Sequence, residues 1–148
     1  MKKRTIPCLR TARRFLYALF LLTLALQSCK IHTNEVGEKL LDDYIKATTF
    51  KRARDVSTRK MFADLEELDA RAQADRKRVS EEFYFRYRRL IDTTRAVITE
   101  GEDDNRRAKV VEYVTGITGK TPDDRDLIPA AAEAFTVEVS RLRALLRQ

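Results

Sequence analysis

From about residue 35 onward, this chain has a hydrophobic pattern with the period of α-helices. No Gly or Pro occurs between Gly37 and Gly101, a stretch of 63 residues. Strand-rich domains need turn residues every 8 to 12 positions or so, and this stretch has none of the strongest ones. Its apolar residues recur every three or four positions instead. The pattern therefore predicts an all-α fold, either an elongated helical hairpin or a three- to four-helix bundle.

Four helices are predicted along the chain. The first covers 35–54, capped by Asn34, and the second covers 58–100, which if unbroken would be about 65 Å long. A third covers 103–115 and stops at Gly116, and the last begins at Thr121, with a restart at Pro129 as an alternative. Their predicted core residues are Val36, Leu40, Leu41, Tyr44, Ile45, Met61, Leu65, Leu68, Ala72, Val79, Phe83, Tyr87, Leu90, Val97, Ala131, Ala134, Phe135, Val139, Leu142 and Leu146.

The segment 81–89, EEFYFRYRR, has more aromatic residues than one helix face can bury. Phe83 and Tyr87 belong to the core stripe, whereas Phe85 lies about 200° away from Phe83. In one alternative, other helices surround this segment on most sides. In the other, Phe85 is exposed among arginines, and Tyr84 is either exposed beside it or buried. Aromatic and Arg residues are enriched in binding hot spots. The hypothetical partner-binding residues are Tyr84, Phe85, Arg88 and Arg89.

The N-terminal 28 residues have the layout of an export signal. Six basic residues and no acidic ones accompany the apolar run 15–26. That run has 12 residues, whereas a membrane-spanning helix needs about 20, so a cleaved signal is favoured over a permanent span. Its removal leaves 24 basic residues against 23 acidic ones, so the formal charge falls from +7 to +1. The basic charge therefore belongs to the signal, and we expect no nucleic-acid partner.

The signal ends at Leu26-Gln27-Ser28-Cys29, which resembles the lipobox of bacterial lipoproteins. Leu26 matches the large apolar position, Ser28 the small residue before the cut, and Cys29 the residue that receives the lipid. The resemblance implies a diacylglycerol thioether on Cys29 and cleavage just before it. Two alternatives are a core cysteine and a disulfide to Cys8, although Cys8 would be lost with the signal.

The resemblance divides the chain into a signal peptide (1–28), a lipidated tether (29–34) and a helical domain (35–148). Lys30 occupies the position where an Asp would imply retention in the inner membrane. We therefore expect an outer-membrane lipoprotein that faces the periplasm. Display on the cell surface stays open as an alternative.

The sequence contains no recognisable catalytic or metal-binding constellation. His32 is the only histidine and lies in the tether. The adjacent acids at 42–43, 103–104 and 123–124 point about 100° apart on a helix, so they cannot share a proton. The glycines of 116–121 follow a predicted helix at the wrong spacing for a phosphate loop. We expect no enzyme activity, no metal and no cofactor.

These observations predict a function in binding. We expect a membrane-anchored domain that binds another cell-envelope protein as an assembly accessory, a chaperone or a subunit of a complex. The alternative is a carrier of lipid or another small apolar ligand, with a cavity among Phe83, Tyr87, Leu90 and the last helix.

Replacing Cys29 tests the lipid anchor. In Cys29→Ser we expect the mass of the diacylglycerol group to disappear and membrane association to be lost, because two or three acyl chains provide the attachment. Cys8→Ser is the matched control and should yield the same mature mass as the wild type. A Cys29→Ser protein that still carries the lipid mass and fractionates with membranes would rule out the anchor.

Overall fold

A computed structural model describes residues 34–48, 58–99 and 104–148, which form an all-α bundle with no strand. The predicted signal peptide and the residues predicted for cleavage and lipidation, Leu26, Ser28 and Cys29, lie outside these ranges. The helices are α1 (34–48), α2 (Thr58–Ala74), α3 (Glu81–Ile98), α4 (Asp104–Thr118) and α5 (Leu127–Leu146). The all-α prediction is confirmed. Of the two predicted architectures, the elongated hairpin and the bundle, the structure has the bundle.

A single helix over 58–100 is wrong, because the chain turns back between α2 and α3. A 3₁₀ turn at Arg76–Arg78 follows Asp75, and Ser80 then caps α3 by accepting a hydrogen bond from the Phe83 N–H at 3.2 Å. Two acids occupy the first turn of α3, where they interact favourably with the helix dipole. The turn lets α2 and α3 pack side by side.

Two other predicted boundaries also differ from the structure. Helix α4 passes through Gly116 and ends before Gly119, whose φ of 74° suits glycine and whose N–H donates to the Thr115 carbonyl at 2.8 Å. Helix α5 begins at Leu127 instead of Thr121, because 121–126 forms a loop that runs back along α4. Pro129 lies in the first turn of α5, where its missing N–H breaks no helical bond.

Helix α3 lies at the centre of the bundle and packs against α2, α4 and α5. Phe83 and Tyr87 are fully buried, and their rings stack with centroids 5.7 Å apart. The Tyr87 hydroxyl donates to the Leu40 carbonyl of α1 at 2.8 Å. Farther along both helices, the hydroxyls of Tyr44 and Thr94 share a hydrogen bond of 2.7 Å. The first contact joins residues 40 and 87 and the second joins residues 44 and 94, so the residue numbers increase in the same direction along both helices. Helix α1 therefore runs parallel to α3.

Most of the predicted core residues are buried in the structure. The partly buried ones are Val36, Ile45, Val97, Phe135 and Val139. The sequence pattern did not single out several buried residues, namely Tyr84, Ile91, Val110, Tyr113, Val114 and Glu138. Gly37 has a packing role, because a Cβ there would overlap the Leu146 side chain. Its lack of a side chain lets the end of α5 approach α1.

Two buried tyrosines provide a matched test of this packing. Tyr87 makes its hydrogen bond to Leu40, whereas the Tyr113 hydroxyl has no hydrogen-bond partner among the described residues. We expect Tyr87→Phe to lower the free energy of unfolding by about 1 kcal/mol, and Tyr113→Phe to leave it unchanged or raise it. Urea denaturation of both variants measures the difference. Equal destabilisation by the two substitutions would contradict the assignment.

Candidate protein-binding site

Four consecutive residues of α3 each contact a different helix. Successive positions on an α-helix are rotated by about 100°, so four of them point around the whole circumference. The contacts are Arg86 with Glu138 of α5 (2.8 and 2.9 Å), Tyr87 with Leu40 of α1 (2.8 Å), Arg88 with Asp69 of α2 (2.6 and 3.1 Å) and Arg89 with Glu112 of α4 (3.6 Å). The segment 86–89 therefore joins the other four helices to α3.

The Arg86–Glu138 pair is the most buried of these contacts between charged groups. Glu138 is 2% exposed, and both of its carboxylate oxygens accept from the guanidinium. The hydrogen bond to Glu138 raises the pKa of Arg86, which keeps the guanidinium charged. This pair was not predicted from the sequence. Its signal was an acid at position 138 within the apolar stripe of α5, between Ala134 and Leu142.

The structure separates the two aromatic residues that were proposed for partner binding. Tyr84 is buried, because the guanidinium groups of Arg76 and Arg88 lie 5.1 and 5.8 Å from its ring centroid. Phe85 is 55% exposed, and Arg76 also lies 5.8 Å from its ring. Of the two alternatives that the sequence left open, the structure shows exposure for Phe85, whereas Tyr84 belongs to the layer beneath it.

Arg88 and Arg89 flank Phe85 on either side. Arg88 is held in place by both oxygens of Asp69, and the hydrogen bond to that carboxylate raises the pKa of Arg88. Arg89 lies 5.4 Å from the ring centroid of Tyr113 on α4. Phe85 is therefore exposed between two arginines whose positions are set by neighbouring helices.

Two clefts flank α3, on opposite sides of the helix. The first, of about 590 Å³, lies between α2 and α4 and is lined by Phe62, Arg89, Asp92, Thr93, Arg95, Ala96, Thr99, Arg106, Lys109 and Glu112. The second, of about 530 Å³, lies mainly between α1, α3 and α5. Its apolar lining residues include Ile45, Met61, Val97, Phe135 and Val139.

The predicted carrier cavity is not at the expected position. Phe83, Tyr87 and Leu90 are fully buried and line neither of these clefts. Their side chains form the filled centre of the core. The larger of the apolar clefts among the described residues is the one beside α1, where the Tyr44–Thr94 hydrogen bond lies.

No protein-family model, no curated protein and no solved structure matches this chain. Within 34–48, 58–99 and 104–148, no helix is both long and apolar enough to cross a membrane. In the same ranges, no three His, Cys, Asp or Glu side chains lie together in a way that could hold a metal ion. His32 lies outside the described residues.

Proposed function

We propose that this chain is a lipid-anchored envelope protein whose helical domain binds another envelope protein through the surface around Phe85. The observation that supports the proposal is the exposed aromatic ring of Phe85 on the most tightly packed helix of the bundle. Phe85 and Ile128 are the large apolar side chains exposed among the described residues. Phe85 differs from Ile128 in having arginines on both sides.

The setting of Phe85 suits a binding anchor. Tight interfaces depend on a few aromatic and Arg residues, and a side chain that is already ordered loses less entropy on binding. The ring of Phe85 contacts the Tyr84 ring at 5.5 Å and the Arg76 guanidinium at 5.8 Å. These contacts restrict the ring while leaving more than half of it exposed. A partner that covers it would bury apolar area at a small cost in entropy.

The proposed lipid on Cys29 would keep this surface close to the membrane. Four residues lie between Cys29 and Asn34, the first described residue of α1, and the five steps from Cys29 to Asn34 span about 17 Å in an extended chain. The domain would then meet partners embedded in the same membrane or close to it. The outer membrane facing the periplasm is the proposed location, with display on the cell surface as the alternative.

A carrier of a small apolar ligand is the second candidate function. The apolar cleft of about 530 Å³ beside α1 and α5 favours it, because ligand pockets have volumes of about 300 to 1,000 Å³. Phe135 and Val139 would contact such a ligand. The Phe85 surface lies on the opposite side of α3, so the carrier function does not require any protein to contact Phe85.

A photo-crosslinking amino acid at position 85 tests the binding of a protein partner. In cells that express the full lipidated chain, we expect one discrete adduct with another envelope protein, identifiable by mass spectrometry. The same amino acid at Glu133, an exposed position of α5, is the matched control and should give no such adduct. No adduct at position 85, or the same adducts at both positions, would contradict the proposal.

Stability measurements show whether a Phe85 variant loses its crosslinked partner because the binding surface is changed or because the domain unfolds. Phe85→Ala should change the free energy of unfolding by less than about 0.5 kcal/mol, since the ring is largely exposed. Phe83→Ala should lower it by about 3 to 5 kcal/mol, because that ring is fully buried. Native recovery of the crosslinked partner should fall at least about tenfold with Phe85→Ala. Unchanged recovery would exclude Phe85 as an anchor.

A further inference from the structure

The exposed side of α3 leads from Phe85 into the cleft between α2 and α4. We call this side the outer face of α3 and define it by Phe85, Arg89, Asp92, Ala96 and Thr99, which are spaced by three or four positions. All of these residues except Phe85 line the cleft of about 590 Å³. From Phe85 to Thr99 the face is about 21 Å long, at 1.5 Å per residue. The aromatic anchor and the cleft thus form one continuous surface.

The cleft contains more positive than negative charge. Arg89, Arg95, Arg106 and Lys109 line it, against the two carboxylates of Asp92 and Glu112. The chain after residue 28 has a formal charge of only +1, so this excess is a local feature. Positive charge that is concentrated in a cleft attracts groups of the opposite sign.

The cations differ in how far they are neutralised by the protein. Arg95 pairs with Glu66 at 3.0 Å and lies 4.6 Å from the ring centroid of Phe62. Arg89 pairs with Glu112 at 3.6 Å. Arg106 and Lys109, three positions apart on α4 and both exposed, have no carboxylate partner among the described residues. Within the described part of the chain, these two side chains are therefore the least neutralised cations of the cleft.

We propose that the cleft binds an acidic polypeptide segment of the partner, with an apolar side chain against Phe85 and carboxylates against Arg106 and Lys109. The inference rests on the proposed function, since it assumes a protein partner. It adds the chemical character of the bound segment and the path of that segment across the domain. A face of about 21 Å accommodates roughly six residues of extended chain or fourteen of helix.

Two features favour a polypeptide over a uniform polyanion or a lipid headgroup layer. Asp92 and Glu112 lie among the cations, and they would repel an unbroken row of phosphates. A polypeptide can instead offer N–H donors to these carboxylates and its own carboxylates to Arg106 and Lys109. The exposed ring of Phe85 at the end of the same face provides a contact for an apolar side chain.

A labelled acidic peptide tests this inference directly. The protein is the full-length lipidated chain in neutral detergent, and the probe is a fluorescein-labelled peptide of about 12 residues, composed of Glu and Ala with one Leu near its end. We expect fluorescence anisotropy to detect binding that weakens as salt is added. A peptide with Gln in place of every Glu should bind at least about tenfold more weakly.

Charge reversal in the cleft locates the binding. The double variant Arg106→Glu with Lys109→Glu should lower the affinity for the acidic peptide at least about tenfold. Lys120→Glu with Arg125→Glu changes the net charge equally at exposed positions outside the cleft, and it should change binding by less than about twofold. Equal weakening by both double variants would show nonspecific attraction and overturn the inference. Binding of the Gln peptide with the same affinity as the acidic peptide would also overturn the inference.

Two further outcomes separate this inference from the proposed function and from a membrane ligand. If a partner is crosslinked at position 85 but its recovery is unchanged by the cleft variant, the acidic-segment inference fails and the proposed function stands. If position 85 gives no adduct, the proposed function fails, whatever the peptide does. Binding of phosphatidylglycerol vesicles that the cleft variant abolishes, without peptide binding, would assign the cleft to lipid and overturn the inference.

Discussion

The bundle depends on the way consecutive residues of α3 point in different directions. The side chains of residues 86–89 point in directions that span about 300° around the helix axis, and each is hydrogen-bonded or ion-paired to a different helix. Helix α3 is consequently enclosed by the other helices except along its outer face. That face begins at Phe85, so the same geometry that organises the core also determines which aromatic ring stays exposed.

Buried polar groups make this arrangement specific. A buried hydroxyl or charge without a partner costs free energy, so the two most buried polar contacts of the segment, those of Arg86 and Tyr87, each require the neighbour to be in place. Arg86 requires Glu138 on α5, and Tyr87 requires the Leu40 carbonyl on α1. An alternative packing of the helices would leave at least one of these groups unsatisfied. Apolar stripes alone would not distinguish between such packings.

The absence of Gly and Pro from 38–100 and the apolar stripes were enough to predict the helices and most of the core. They could not reveal the turn between α2 and α3, because the helical spacing of the apolar residues continues unchanged from α2 through the turn into α3. Val79 and Phe83 continue the period that Leu68 and Ala72 establish, although the chain reverses between them. The local signal was Ser80 followed by two acids, which is a typical helix start.

The candidate site was predictable only in part. Helical geometry places Phe85 opposite the core stripe, but the sequence could not decide whether another helix covers that side. The burial of Tyr84 depends on Arg76, which reaches it from the 3₁₀ turn, and no periodicity predicts that contact. The cleft combines residues of three helices, including Arg106 and Lys109 of α4. Those cations adjoin α3 only because the helices pack together.

Native-state hydrogen exchange tests the central position of α3 most directly. Amides of Tyr87, Leu90 and Ile91 should exchange most slowly of all and only through global unfolding, because every helix must detach before α3 opens. Amides in the middle of α4, around Val114, should exchange faster, through partial opening of the bundle. Faster exchange in α3 than in α4 would contradict the conclusion that residues 86–89 hold the other helices together.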